Sequence, residues 1–373
     1  MSILFEHVTA VTMDPAAPVL HDAFVLVEGT AISQVGQTRP QGAFDRVVDC
    51  TGKVMMPGLI NAHTHLPMTL MRGYGGGCDR HTWLNQYIFP AEARLDSRAV
   101  AAGAGLGLAE MIASGVTCVA DMYLHTGTIA EQILEAGISA NLSCGGVYFG
   151  APEDFSPETC GDCRNQAALT EEWHGAGAGQ ILVDASVHGE YTSNPPLWRW
   201  MAEYAAEHRL GMHVHVSETQ SEHQASLERW GKTPIQALDG CGVWDCGRSL
   251  AAHCVYTTEE DWALMAEKGI SCVHNPWSNL KLGSGVAPIP AMMRAGVNVA
   301  LGTDGMSSHN SADLFSDIKL AAVLHNGVER DPMAVNAWAA LEMATVNGAR
   351  ALGRDTGVIA PGKTADLILV DLS

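Results

Sequence analysis

Gly58-Leu-Ile-Asn-Ala-His63 is a short apolar run that stops on a polar residue. An Ala-rich stretch with helical character follows at Ser97–Ser114, and Thr117-Cys-Val-Ala-Asp121 repeats the first pattern. Apolar runs of this length read as buried strands, and longer Ala- and Glu-rich stretches read as helices. Working outward, the same alternation continues through Ile138–Ser143, Gln180–Val187, Gly211–Val216, Ser249–Cys254, Ile270–His274 and Asn298–Gly302. Helical stretches fall between them, among them Thr128–Ala136, Leu197–Glu207, Thr258–Lys268, Ile289–Ala295 and Ala312–Leu324. Strands separated by helices require crossovers and a parallel sheet covered on its faces. Eight such units over about 300 residues favour a closed (β/α)8 TIM-like barrel over a doubly wound sheet.

The flanks follow a different pattern. Residues 3–36 alternate apolar and polar in bursts broken at Asp14-Pro15, Glu28-Gly29 and Gly36, the pattern of antiparallel strands with tight turns. Arg46–Cys50 adds a strand, and the chain ends in Gly357–Asp371, a turn and then a strand. The reading is α/β: a small composite β-sandwich from residues 1–56 and 355–373, with the barrel inserted as residues 57–354.

A barrel places its chemistry where the C-terminal ends of the strands converge. His63 and His65 lie at i and i+2, on one face of an extended strand. His213 and His215 repeat that spacing, with Glu218 just beyond; His188, His253 and Asp304 end other strands. His213 is read as a structural neighbour, because His215 stands in the better register with Glu218. Imidazoles and a carboxylate converging on one rim suit one divalent metal ion with an open position for water. Zinc is the first expectation, and iron or manganese fit the same donors. A bound metal lowers the pKa of water towards neutrality, and Glu218 stands where a general acid/base could move the proton.

Composition narrows the partners. The chain has 373 residues, 21 Lys and Arg against 41 Asp and Glu, and a formal charge of -20, which opposes binding to nucleic acid or an anionic membrane. No apolar stretch reaches the roughly 20 residues of a membrane span. The N-terminus lacks a basic region followed by an apolar run, so no signal peptide is expected. Ten scattered cysteines, several in apolar runs, suit reduced thiols and a cytoplasmic location. Cys160-Gly-Asp-Cys163 is read as a packing or solvent-side pair within a loop.

Pro57-Gly-Leu-Ile-Asn-Ala-His-Thr-His-Leu66, His215-Val-Ser-Glu218, Ala252-His253, His274-Asn-Pro-Trp-Ser-Asn279 and Gly302-Thr-Asp-Gly305 resemble the amidohydrolase superfamily. Leu66-Pro-Met-Thr-Leu-Met-Arg-Gly73, Trp83-Leu-Asn85 and Ile88-Phe-Pro-Ala-Glu92 extend the resemblance to its 5-methylthioadenosine/S-adenosylhomocysteine deaminase branch. The resemblance implies that His63, His65, His215 and Asp304 bind the metal. It implies that Glu218 shuttles protons, that His253 bonds to the attacking oxygen and that Asp304 helps orient the water. It also implies that Glu92 holds ribose hydroxyls and that His188 and Trp83 contact a small nucleoside substrate. A homo-oligomer, dimer or tetramer, is implied as well; members of that branch usually carry further strands beyond the Pro361–Leu367 motif, so the small domain is expected either to be abbreviated or to be cut short here.

The chain departs from that branch in two places. Ser143-Cys144-Gly145 stands where relatives carry an arginine, which favours small neutral 5′ groups over the carboxylate of S-adenosylhomocysteine. His309 stands where asparagine is more usual, which is expected to alter the pocket lining. The rival readings are a guanine or pterin deaminase, a triazine hydrolase, and a catalytically silent metal-binding scaffold.

Overall fold

The computed structural model describes residues 1–372. β1 (Ser2–Val11) runs antiparallel to β2 (Val19–Glu28), and β2 runs antiparallel to β3 (Ala31–Gly36). On the other edge of β1 lie β4 (Arg46–Asp49) and β5 (Lys53–Pro57), both parallel to it. The C-terminal strand Leu367–Asp371 pairs antiparallel with the whole of β5, so the two ends of the chain share one sheet. The two-residue period of a strand puts Val8 and Ala10, and Ala23, Val25 and Val27, on one buried face with Ile32 and Met55.

The remaining strands are parallel and alternate with helices. β6 (Leu59–His65), β7 (Val116–Met122), β8 (Ser139–Ser143) and β9 (Ile181–Val183) are successive neighbours. So are β10 (Ala185–Gly189), β11 (Met212–Val216), β12 (Ser249–His253), β13 (Ile270–His274) and β14 (Val299–Leu301). Finally β15 (Asp304–Gly305) returns to pair with β6.

Two interrupted strands join these halves. β9 and β10 are separated only by Asp184, whose N–H donates to Leu142 O, while the N–H of Ala185 donates to Gly211 O. One strand thus bonds first to its left neighbour and then to its right. Gly302 and Thr303 separate β14 from β15: the N–H of Gly302 donates to His274 O, and that of Thr303 to Asn61 Oδ1. A side chain at Gly302 would come within 2.8 Å of His63 O and 2.5 Å of Asn275 Oδ1, so closure beside the first histidine requires glycine. Counted this way the described residues form eight parallel strands in a ring, the TIM-barrel arrangement.

Local signals set the helix limits. Asp96 caps Ser97–Ala113 by accepting from Ala99 N, and Thr258 with Asp261 forms a capping box at the start of Glu259–Lys268. One expectation fails. Cys160-Gly-Asp-Cys163 is not loop: Cys160 precedes the helix Gly161–Trp173 and Cys163 lies inside it, both thiols buried and free. Gly161, Asp162 and Asn165 are weak helix formers, which masks this helix in the sequence.

Candidate metal centre and active site

β6 delivers His63 and His65 to the rim, β11 delivers His215, β12 ends on His253 and β15 begins with Asp304. The backbone turns sharply there. His253 (φ 75°), Asp304 (φ 60°) and Ser217 (φ 48°) all adopt left-handed conformations, which non-glycine residues hold only where the surroundings enforce them.

Every imidazole is oriented from behind. His65 Nδ1 lies 2.5 Å from Met122 O, and His215 Nδ1 lies 2.6 Å from His188 O. His63 Nδ1 meets His213 Nε2 at 2.8 Å, and His253 Nδ1 meets Asn279 Oδ1 at 2.8 Å. The Nε2 atoms therefore face inward. His65 Nε2 stands 3.3 Å from His215 Nε2 and 3.1 Å from Asp304 Oδ1, and His63 Nε2 stands 3.5 Å from that same oxygen. The other oxygen, Asp304 Oδ2, accepts from Ser278 Oγ (2.5 Å) and Ser308 Oγ (2.8 Å), which leaves Oδ1 free to face the imidazoles.

These donors fit a divalent cation. With Nδ1–H bonded to backbone carbonyls, His65 and His215 turn lone pairs towards each other and towards a carboxylate. His63 Nε2 is buried without a hydrogen-bond partner. Ligands about 2.1 Å from a tetrahedral ion lie roughly 3.4 Å apart, close to the spacings found here. Without a cation the cluster depends on protons. Burial lowers the His65 pKa, but its bond to Asp304 prevails and raises it to about 9. Burial holds His63 and His215 well below the usual imidazole range, the neighbouring imidazoles adding to the effect on His215. Asp304 stays well below the carboxylate range despite burial, because His63 and His65 stabilise its charge.

Glu218 lies just past β11, and its backbone is clamped. Glu222 Oε1 accepts from Ser217 N at 2.9 Å and Glu222 Oε2 from Glu218 N at 3.0 Å. Glu218 Oε2 lies 3.8 Å from His253 Nε2, and Oε1 accepts from Ser284 Oγ at 3.3 Å.

A cavity of about 570 Å³ opens above this rim. His65, His215, His253, Asp304, Glu218, Trp83, Glu92 and His188 all line it, while His63 lies buried behind them. Burial pushes the Glu92 carboxyl up and takes His188 down to about 3. Trp83 presents its ring to the cavity and donates Nε1–H to Tyr74 O. His309 does not line this cavity: it pairs with Asp317 Oδ2 at 2.9 Å, because the short helix Met306–His309 turns it away.

Sequence reasoning missed the groups that hold others in place. Asn279, Ser278, Ser308 and Glu222 carry no motif of their own, although Ser278 and Asn279 fall inside the stretch His274–Asn279. Arg80 was also missed. It lines the cavity and meets Glu218 Oε2 at 2.5 Å, and no spacing in the sequence connects two residues so far apart.

The amidohydrolase family pattern matches residues 54–373. The chain belongs to the amidohydrolase family. A 5-methylthioadenosine/S-adenosylhomocysteine deaminase of Thermoanaerobacter pseudethanolicus is 38% identical, over all of this amidohydrolase and 86% of the relative. A 5′-deoxyadenosine deaminase of Methanothermobacter thermautotrophicus is 42% identical, over 93% of this chain and 80% of the relative. Among solved structures, an adenosine deaminase of Xanthomonas campestris with bound zinc superposes with a TM-score of 0.92. It is 36% identical, and the match covers all of this amidohydrolase and 85% of that chain.

Proposed function

We propose that this amidohydrolase removes ammonia from C6 of adenine nucleosides, giving the hypoxanthine nucleoside. The observation that carries the reading is one cavity lined by His65, His215, Asp304 and Glu218, with His63 buried behind them and a second carboxylate, Glu92, also lining it. His63, His65, His215 and Asp304 would hold one divalent ion, zinc by the nature of the donors. When bound, such an ion supplies Lewis acidity that makes a water ionisable near neutrality.

The protein's own groups do the rest. Glu218 accepts the water's proton on Oε2 and delivers it to N1 of the ring, so that C6 becomes electrophilic as the oxygen arrives. His253, held by Asn279, presents Nε2 to the attacking oxygen, and preorganised groups of this kind supply much of the rate enhancement in many such sites. Glu92 accepts from the ribose hydroxyls, and Trp83 and His188 close the walls. The relatives named for deamination of adenosine-type nucleosides support this assignment. Arg80 is the one Arg or Lys among the described residues lining the cavity, and Glu218 occupies it. In the free enzyme a carboxylate on the 5′ substituent therefore meets no unpaired cation, and Cys144 in the lining offers none. Adenosine, 5′-deoxyadenosine and 5′-methylthioadenosine are preferred to S-adenosylhomocysteine. Ten free thiols are consistent with a reducing, cytoplasmic setting.

The test is an ultraviolet assay of the metal-loaded protein against those four nucleosides, guanine and cytosine. Loss of adenine absorbance with release of ammonia is the expected result. Turnover of guanine alone, or of no nucleoside, would overturn the reading.

A further inference from the structure

Glu218 is already engaged. Arg80 Nη2 lies 2.5 Å from Glu218 Oε2, the oxygen that also faces His253 Nε2 at 3.8 Å. The guanidinium therefore covers the oxygen that has to exchange a proton with the ring. Both side chains are nearly buried, 14% and 3% exposed. Arg80 has a second anchor: it donates to Tyr191 Oη at 2.8 Å and sits 5.4 Å from the centre of that ring. The backbone beneath it is fixed by Asp79, which accepts from Thr82 N at the start of the short helix Arg80–Thr82. Just before it runs a glycine-rich stretch in which Gly73, Gly75 and Gly77 have φ of 75°, 69° and 91°. The same segment continues to Trp83 and Glu92, which line the cavity.

We propose that Arg80 is a positioning residue that latches Glu218 in the free enzyme and is displaced from that carboxylate by the purine ring, keeping its anchor on Tyr191. The proposal rests on the adenine-nucleoside reading of the site. It makes Arg80 a determinant of specificity. A nucleoside that engages Glu92 and Trp83 acts on the segment carrying Arg80, and those contacts offset the lost ion pair. A free base reaches Glu218 only by breaking the pair with nothing in return. The latch thus favours nucleosides over bare adenine.

The test is the dissociation constant of inosine, the reaction product, for the metal-loaded wild type, Arg80→Met, Glu218→Gln and the double variant, read by tryptophan fluorescence. Arg80→Met should tighten inosine binding about fivefold to tenfold, the scale of one charge-assisted hydrogen bond after partial compensation. In the Glu218→Gln background the same change should alter binding less than about twofold, because no ion pair remains to break. Arg80→Lys should restore most of the wild-type value. In turnover, Arg80→Met should raise kcat/KM for adenine relative to adenosine, mainly through KM. Weaker inosine binding in both backgrounds would show that Arg80 holds ligand directly, and unchanged binding that it is merely structural; either overturns the latch. Crystals separate this from the parent reading. Ligand-free wild-type crystals with the guanidinium away from Glu218 refute the latch even if nucleosides are deaminated. A failed turnover panel refutes deamination while leaving that crystallographic result to judge the pair.

Discussion

The metal-facing rim and the segment Arg80–Glu92 both line the same cavity, yet they are built differently. On the rim each histidine sits on a buried strand, and a second group behind it fixes its ring: Met122 O, His188 O, His213 or Asn279. The Arg80–Glu92 segment belongs to no strand of the barrel. It begins in a short helix, passes through a wider turn of helix at Trp83–Ile88 and ends in Phe89–Glu92. The donors of the rim are held by groups behind them on the barrel strands, whereas the segment is held by its own helical turns and by Arg80. On the proposed reading, chemistry resides on the scaffold and selectivity on the appendage.

Four experiments break or sharpen that contrast. The largest effect falls on the rim: Glu218→Gln should cut kcat by roughly 10³ with metal content unchanged, measured by steady-state kinetics and elemental analysis. Retained activity would remove Glu218 from the proton path. Next, His213→Ala leaves all four donors present but releases His63 Nδ1, so metal affinity should fall about 10- to 100-fold in competition with a chelator. On the appended segment, Glu92→Gln should raise KM for adenosine about tenfold and leave that for 2′,3′-dideoxyadenosine unchanged. Equal effects on both nucleosides would deny Glu92 its ribose contact.

The smallest effect concerns the scaffold beneath the rim. His274 Nε2 and His325 Nε2 meet at 3.0 Å, both buried, and burial lowers the His325 pKa to about 4. The unfolded chain takes up this proton below about pH 6.5 and the folded protein does not. This stability is therefore complete above pH 6.5 and is lost as pH falls towards 4. His325→Gln should flatten that part of the stability-against-pH curve by on the order of 1 kcal/mol, followed by thermal melts across this pH range. An unaltered slope would show that the pair does not govern acid sensitivity.

Much of the rim was legible because its logic is local. His63 and His65 share a strand face by period alone, and alternating apolar runs and Ala-rich stretches imply parallel strands. The helix Gly161–Trp173 escaped because weak helix formers open it. His309 escaped because the short helix Met306–His309 decides whether its side chain faces the cavity or Asp317.

The sequence by itself determined the barrel, the identity of the inward histidines and the acidic surface, since each follows from residue type and spacing along one strand or helix. Only the tertiary structure decided the rest. It splits the fourth strand at Asp184 and the eighth at Gly302-Thr303, sets His213 behind His63, and places Arg80 on Glu218. Those facts join residues more than a hundred positions apart, or concern strands that exchange partners midway. Such contacts depend on how the ring closes, and no local period encodes that.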